Sequence, residues 1–482
     1  MDMIGREKEI RLLTKTHQSK GAQFLVLYGR RRIGKTTLIQ HWTATELGEG
    51  DYLYWVATQT STVNQLRSFS QTLLRHINPA VSPEPSFSYG TWEAAFAEAA
   101  RQAAEKRFVL ILDEFTYVMQ TDPEVASVLQ KAWDQQLKNS QIFLILSGSL
   151  AGMIERSVLD YQAPLYGRAT ARLKLLPLSF GSLATFLPRM RPEQRVAVYA
   201  ITGGIPAYLG LFDDGLNLRD NLAAHFVTPA NLMLDDAVFL LREQLTEPRN
   251  YMALLEALAA GHHTLTEIAR MAGLERTNAN KYLSVLRELG YVERQVPATV
   301  RHPERSRKGR YAITDAYLRF YFRFLRPYLA EIEMGRLQAV LSLLEDHLTD
   351  FIGTYTFEEI CREWVRIKAD LGELPFRPDR VGSHWGKDAQ VDVVAISWRE
   401  KQILLGECKW GRQPVERQVL DALEAKTARV VPKTGTWQVH YALFARSELT
   451  TAARAKAGEL DALLVDVPLL EQDDLRWSRS SR

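Results

Sequence analysis

The chain has 482 residues, room for about three domains at ~150 residues each, and its 46% hydrophobic and 24% charged content is that of a packed globular chain. Lys and Arg total 60 against 57 Asp and Glu, a net charge of +3, so nucleic-acid binding has to come from local basic patches. The two cysteines, Cys361 and Cys408, make neither a disulfide framework nor a cysteine metal site, the N-terminus is charged from its start, and no apolar run reaches the ~18 residues of a membrane helix; a cytoplasmic protein with no membrane partner is expected.

Short apolar runs at Gln23–Tyr28, Tyr52–Ala57, Arg107–Asp113 and Gln141–Ser147 are separated by amphipathic stretches. Continuous apolar strands spaced this way predict a parallel sheet covered on both faces. The polar, Pro- and Gly-containing stretch Val81–Gly90 predicts a loop between helices, and Ala171–Leu178 a further short strand.

The first strand runs into Gly29-Arg-Arg-Arg-Ile-Gly34-Lys35-Thr36-Thr37, a full GxxxxGK[ST] phosphate loop. Gly29 and Gly34 let the backbone curl so that its N–H groups and the next helix N-terminus face phosphate oxygens. Lys35 then bridges the β- and γ-phosphates of ATP, and Thr36 holds Mg²⁺. Arg30, Arg31 and Arg32 read equally well as plain surface side chains. The strand Phe108–Leu112 ends in Asp113 and Glu114, one carboxylate for Mg²⁺ and one to orient the attacking water. Their position after a phosphate loop favours hydrolysis over binding alone. Ser147 ends the next strand, within Ser147-Gly-Ser149; it reads either as a contact to γ-phosphate or lytic water, or as part of a plain turn.

From about Ser179 to Glu247 the apolar spacing is helical, and residues 250–290 predict three amphipathic helices. The third carries an apolar stripe from Tyr282 to Leu289, with Asn278, Asn280, Lys281 and Arg287 on its other face, residue types suited to base-edge and phosphate contacts in a major groove. A wing is predicted over Val292–Ile313, and its loop holds Arg301, Arg305, Arg307, Lys308 and Arg310 against a single Glu304. Two roles stand for this module, DNA contact by counterion release and packing as a structural lid. An aromatic helical run follows over Asp315–Glu333, which Pro327 should bend or end.

The last segment contains a predicted hairpin, Val391–Ser397 and Gln402–Trp410. It brings Asp392 near Glu407 and Lys409, which lie two apart on one strand face. Two carboxylates suit a Mg²⁺ ion, and the ammonium suits a water poised for attack on phosphorus. The helix Thr356–Val365 buries Phe357, Ile360, Cys361 and Trp364 and aims Glu358 at the same place, with Glu359 one residue along as the fallback.

Five stretches carry a resemblance to known proteins: Ile4–Glu7, the Gly29–Leu38 loop, Leu110–Phe115, Pro164–Arg168 and Gly203–Tyr208. Over roughly residues 1–245 the chain resembles the archaeal-type ATPases of the STAND branch of AAA+-related P-loop proteins. That resemblance implies ATP and Mg²⁺ as cofactors and a homo-oligomer or ATP-dependent self-association. It places Gly5 and Arg6 near the adenine and Pro206 in the lid. Thr37 joins the nucleotide loop. Arg168 becomes the candidate arginine finger, though a structural ion pair is the other reading. Over roughly residues 311–430 the chain resembles the PD-(D/E)xK nucleases, specifically the domain that accompanies these ATPases. There an acid is expected just before Val391-Asp392, and Gln390 departs from that pattern.

The expected fold is a multidomain α/β chain: a P-loop NTPase parallel sheet (1–180), a helical lid (181–247), a winged helix-turn-helix (248–313), linking helices (314–345) and a restriction-endonuclease-like α/β domain with a C-terminal tail (346–482). The expected activity is an ATP-hydrolysing switch coupled to DNA binding and Mg²⁺-dependent cleavage. The alternative is a DNA-binding switch whose nuclease-like domain is inactive.

Overall fold

A computed structural model describes residues 3–229, 231–245 and 247–480 of the chain, so the end of the Ser-Arg tail lies outside the described residues. The chain divides into two compact units, with the boundary at Pro177 and Leu178.

The first unit is built on strands β1 (Gln23–Tyr28), β2 (Tyr52–Val56), β3 (Phe108–Asp113), β4 (Ile142–Gly148) and β5 (Ala171–Lys174). All pair in parallel, in the order β2-β3-β4-β1-β5. Every residue of β3 and β4 is buried, as continuous apolar runs require when helices cover both faces of a sheet. Phe69, Trp92 and Phe96, from helices Thr62–Ile77 and Trp92–Gln102, pack with Leu110 and Leu144 in one core. Ser61 and Thr91 start those two helices by accepting from the N–H groups of Asn64 and Ala94. In a parallel sheet all strands end at the same edge. Because β4 lies between β1 and β3, the loops after these three strands converge there.

The second unit begins with helices alone, including Pro192–Thr202. Helices Arg249–Ala259, Leu265–Met271 and Arg276–Glu288 follow, and then the antiparallel pair β6 (Val292–Gln295) and β7 (Arg310–Ile313). Pro327 falls in a 3₁₀ turn, Arg326–Tyr328, that interrupts the aromatic helical run between Ala316–Phe320 and Leu329–Glu333. The ring removes a backbone donor and cannot be accommodated in a helix interior.

A second sheet contains β8 (Arg380–Trp385), β9 (Gln390–Ser397), β10 (Gln402–Lys409), β11 (Gln438–Ala445) and β12 (Leu463–Asp466). Its order is β12-β11-β10-β9-β8, antiparallel from β8 to β10 and parallel from β10 to β12. Helix Glu358–Asp370 precedes it, and helix Arg417–Val430 makes the crossover that a parallel β10–β11 pair needs. Helix Glu358–Asp370 is fixed from behind by the C-terminal helix Val467–Ser480: Trp364 Nε1 donates to Asp473 at 2.8 Å, and Lys368 pairs with Asp473 at 2.7 Å. The same C-terminal helix holds Arg195, on Pro192–Thr202, through a buried ion pair to Glu471 at 2.5 Å.

The segment between β6 and β7 docks on the edge strand β8. Ala298 N–H donates to Ser383 O at 2.8 Å, Thr299 Oγ1 meets His384 Nδ1 at 2.7 Å, and Trp385 Nε1 donates to Lys308 O at 3.2 Å. No described helix is long and apolar enough to cross a membrane.

Candidate functional site

Helix Lys35–Glu46 starts directly after the loop that leaves β1, and its N-cap, Gly34, has φ +92° and offers no side-chain cap. The first N–H groups of this helix are therefore left for an anion. Gly29 answers a different demand: a Cβ there would stand 2.5 Å from Leu175 O, where Leu175 N–H donates to Tyr28 O. Lys35 is buried and donates to the loop carbonyls of Gly29 (3.1 Å) and Arg30 (3.3 Å). Thr37 is exposed on the first turn. Gly5 precedes helix Glu7–Gln18 with φ +66°. Arg6 is buried, pairs with Glu9 and donates to Ile33 O at 3.1 Å, so it braces the phosphate loop from the side.

At the end of β3, Asp113 Oδ2 accepts from Thr36 Oγ1 at 2.9 Å and from Tyr54 OH at 2.6 Å. Burial, and then Asp113, hold the Tyr54 phenol proton well above its ordinary range, so Tyr54 stays a donor. Thr36 and Asp113 thus stand together as a hydroxyl and a carboxylate. Mg²⁺ asks for a thin donor set of this kind, completed by water and phosphate oxygens. Glu114 has φ +52°, a left-handed conformation that costs a non-glycine residue free energy. Ser149 holds it there: its N–H and Oγ donate to Glu114 Oε2 at 2.9 and 2.8 Å. Lys35 Nζ lies 4.0 Å from Glu114 Oε1. Ser147 is fully buried and its hydroxyl has no hydrogen-bond partner. Arg168 pairs with Asp134 at 2.8 Å and also donates to Pro164 O and Tyr166 O; that hydrogen bond depresses the Asp134 pKa. In the second unit, Pro206 opens the short helix Pro206–Leu209.

On β9 and β10, Asp392 Oδ2 accepts the Cys408 N–H at 3.0 Å. Glu407 is gripped by two ammoniums, Lys409 and Lys426, each at 2.9 Å. Glu358 pairs with Arg362 at 3.0 Å, and Arg362 also donates to Asp392 O at 3.1 Å. Glu359 turns away to a bidentate pair with the buried Arg319, 2.9 Å on both arms. Burial, then the Asp392 charge, pushes Glu358 up to about 7. Burial and Glu407 raise Asp392. Burial opposes the Lys409 charge, and the bond to Glu407 outweighs it, so Lys409 is raised. Among the described residues no three His, Cys, Asp or Glu side chains form a metal cluster. Asp392 and Glu407 offer a two-carboxylate set, which fits a Mg²⁺ ion that keeps several waters.

Helix Arg276–Glu288 buries Ala279, Leu283 and Leu286. It leaves Asn278, Asn280, Lys281 and Arg287 exposed. In the segment between β6 and β7, Arg301, Arg305, Arg307 and Lys308 are exposed as well. Arg310, also exposed, lies over the Trp385 ring at 5.1 Å.

An ATPase domain found predominantly in Archaea matches residues 3–212. An IclR helix-turn-helix domain matches residues 250–296, and a family of archaeal and bacterial proteins of unknown function matches residues 321–427. An uncharacterized protein of Methanocaldococcus jannaschii is 31% identical over 407 residues, covering 84% of this chain and 87% of its own. The chain belongs to the family of that protein. Solved structures similar to it include the Walker-type ATPase of Pyrococcus abyssi, 18% identical with a TM-score of 0.49, covering 67% of this chain and 96% of that one. Another is the ORC1 protein of Aeropyrum pernix in complex with DNA, 16% identical with a TM-score of 0.35, covering 69% and 95%. The chain therefore carries an archaeal-type ATPase domain on a parallel α/β sheet, followed by a helix-turn-helix.

Of four further residues at these sites, three are not placed by local spacing. Tyr54 reaches Asp113 from the neighbouring strand β2, and Lys426 reaches Glu407 from the crossover helix; no local spacing links either pair. Ser149 rather than Ser147 meets Glu114, a choice that alternation leaves open because the two are i and i+2. Arg362 is the exception, since it stands four residues after Glu358 and helical spacing alone places the pair on one face.

Proposed function

We propose that the protein is an ATP-binding and ATP-hydrolysing switch, coupled to DNA binding and to divalent-metal-dependent DNA cleavage by the C-terminal α/β domain. The observation that carries the ATPase half is the Thr36–Asp113 hydrogen bond at 2.9 Å, made beside an uncapped helix N-terminus and the buried Lys35. Lys35 neutralises charge on the terminal phosphates, and the helix N–H groups hold their oxygens. Glu114, fixed by Ser149, accepts a hydrogen from the attacking water while the β–γ bridge bond breaks to give ADP and phosphate. Mg²⁺, when bound, supplies positive charge to the phosphate oxygens. Gly5 and Arg6 beside the adenine, Pro206 in a lid, Arg168 as a finger toward a second copy, and ATP-dependent self-association belong to this reading. So do the domain limits at 180, 247, 313 and 345. Phosphate release by the parent chain, lost in Lys35→Ala, tests it; equal rates in the two overturn it.

In the cleavage half, Asp392 and Glu407 would hold a divalent cation, which supplies charge to the phosphodiester. Lys409 would orient a water whose oxygen bonds to phosphorus as one ester bond breaks. The β8–β9–β10–helix–β11 order, with Asp392 and Glu407 on adjacent strands, supports a nuclease-like domain. Asn278, Asn280, Lys281 and Arg287 would enter a major groove, with Arg301, Arg305, Arg307 and Lys308 on phosphates. A second reading, an inactive binding platform, is favoured by Gln390 in place of an acid and by Glu358 being tied to Arg362.

A further inference from the structure

Between the winged helix and the second sheet lies a cleft of about 130 Å³. His263, Gln295 and Arg310 line it from the winged helix, and Trp385, Gln390 and Asp392 from the sheet. Where one water needs ~10–15 Å³ of such space, this is room for a small flat ring system and far too little for a duplex.

Two ion pairs, Arg319–Glu359 and Arg362–Glu358, complete the lining, and the remaining side chains suit a nucleobase. Arg310 lies over the buried Trp385 indole at 5.1 Å, so it covers that ring face and offers its own outer guanidinium plane for stacking on an unpaired base. Gln390 adds an amide with donors and an acceptor for a base edge, and Gln295 adds one whose Nε2 also donates to Glu293. The His263 Nδ1 lies 3.1 Å from Tyr311 O; only a protonated Nδ1 donates to that carbonyl, which leaves Nε2 as an acceptor. Asp392 closes the same cleft, so a nucleotide held in it carries its own phosphodiester to the candidate reaction centre.

We propose that this cleft receives one unpaired nucleotide of DNA, from a single-stranded end or extruded from a duplex. The inference rests on the reading of Asp392 as part of a DNA-cleaving centre, and the two fail separately. The test titrates the full chain, in EDTA, against a 12-mer carrying 2-aminopurine, once single-stranded and once inside a duplex. A saturating quench in the first arm identifies a strand end as the source. A rise in the second identifies an extruded base. Gln295→Ala and Gln390→Ala are expected to weaken that signal about tenfold, with Arg101→Ala, an exposed side chain of the first unit, close to the parent. No signal in either arm, or glutamine variants that match the parent, overturns the proposal even if plasmid cutting in Mg²⁺ depends on Asp392. A saturating, glutamine-dependent signal without any cutting upholds the cleft and removes the cleavage reading.

Discussion

The two candidate phosphate sites of this chain are built on opposite principles. At the end of the first sheet, one short loop and two neighbouring strand ends supply the groups; Lys35 is held against loop carbonyls and stands 4.0 Å from Glu114, with Arg30, Arg31 and Arg32 in the same loop. In the second unit, Glu358, Asp392 and Glu407 come from a helix and two strands, and Arg362, Lys409 and Lys426 already answer their charges. The first site sets a helix N-terminus and a basic loop toward an anion. The second is internally neutralised, so a cation or a phosphodiester has to displace a partner on entering. Buried charges left without partners are costly, which explains why so many cations gather there.

This contrast can be broken from either side. The largest effect is expected at Lys35, the buried ammonium of the phosphate loop: Lys35→Ala should cut ATP hydrolysis at least about a hundredfold, measured as phosphate release. A loss under tenfold would mean that another cation serves the phosphates. The next concerns Glu358. Its folded pKa of about 7 lies above the ordinary 4.5, so its contribution to stability is fully present below pH 4.5 and is lost as pH rises through 7. The change is at most about 3 kcal/mol. Urea unfolding at pH 5 and pH 8 should show a smaller difference for Glu358→Gln than for the parent; equal differences would place Glu358 in contact with water. Smaller again, Lys426→Ala removes one of two ammoniums on Glu407 and should slow DNA cleavage about tenfold, less than Lys409→Ala. Matching effects would mean that the two lysines share one role. Least in size, neutralising Arg301, Arg305 and Arg307 should lower the slope of log affinity against log salt by about 3. An unchanged slope would leave the wing as packing on β8 alone.

The two sites also differ in how far they can be read from residues alone. The strands of the first sheet fall within a residue or two of the apolar runs at their N-terminal ends, and Lys35, Thr36, Asp113 and Glu114 meet because contiguous motifs sit at the same edge of a parallel sheet. Alternation likewise places Glu407 beside Lys409, and the hairpin brings Asp392 to them. What stays hidden depends on tertiary packing. Tyr54 joins Asp113 across 59 residues, and Lys426 joins Glu407 across 19. Arg6 joins Ile33 O across 27 residues through the packing of the first helix. The basic segment at Arg301–Lys308 reads as a free wing because its charge pattern is local; that it lies along β8 follows from hydrogen bonds to residues some 80 positions away.

The most direct test of an ATPase joined to a DNA-cleaving domain is the time course of supercoiled plasmid with ATP and Mg²⁺, for the parent chain and Asp392→Ala. The account predicts nicking by the parent and none by the variant. An intact plasmid with both, or equal nicking by both, contradicts it.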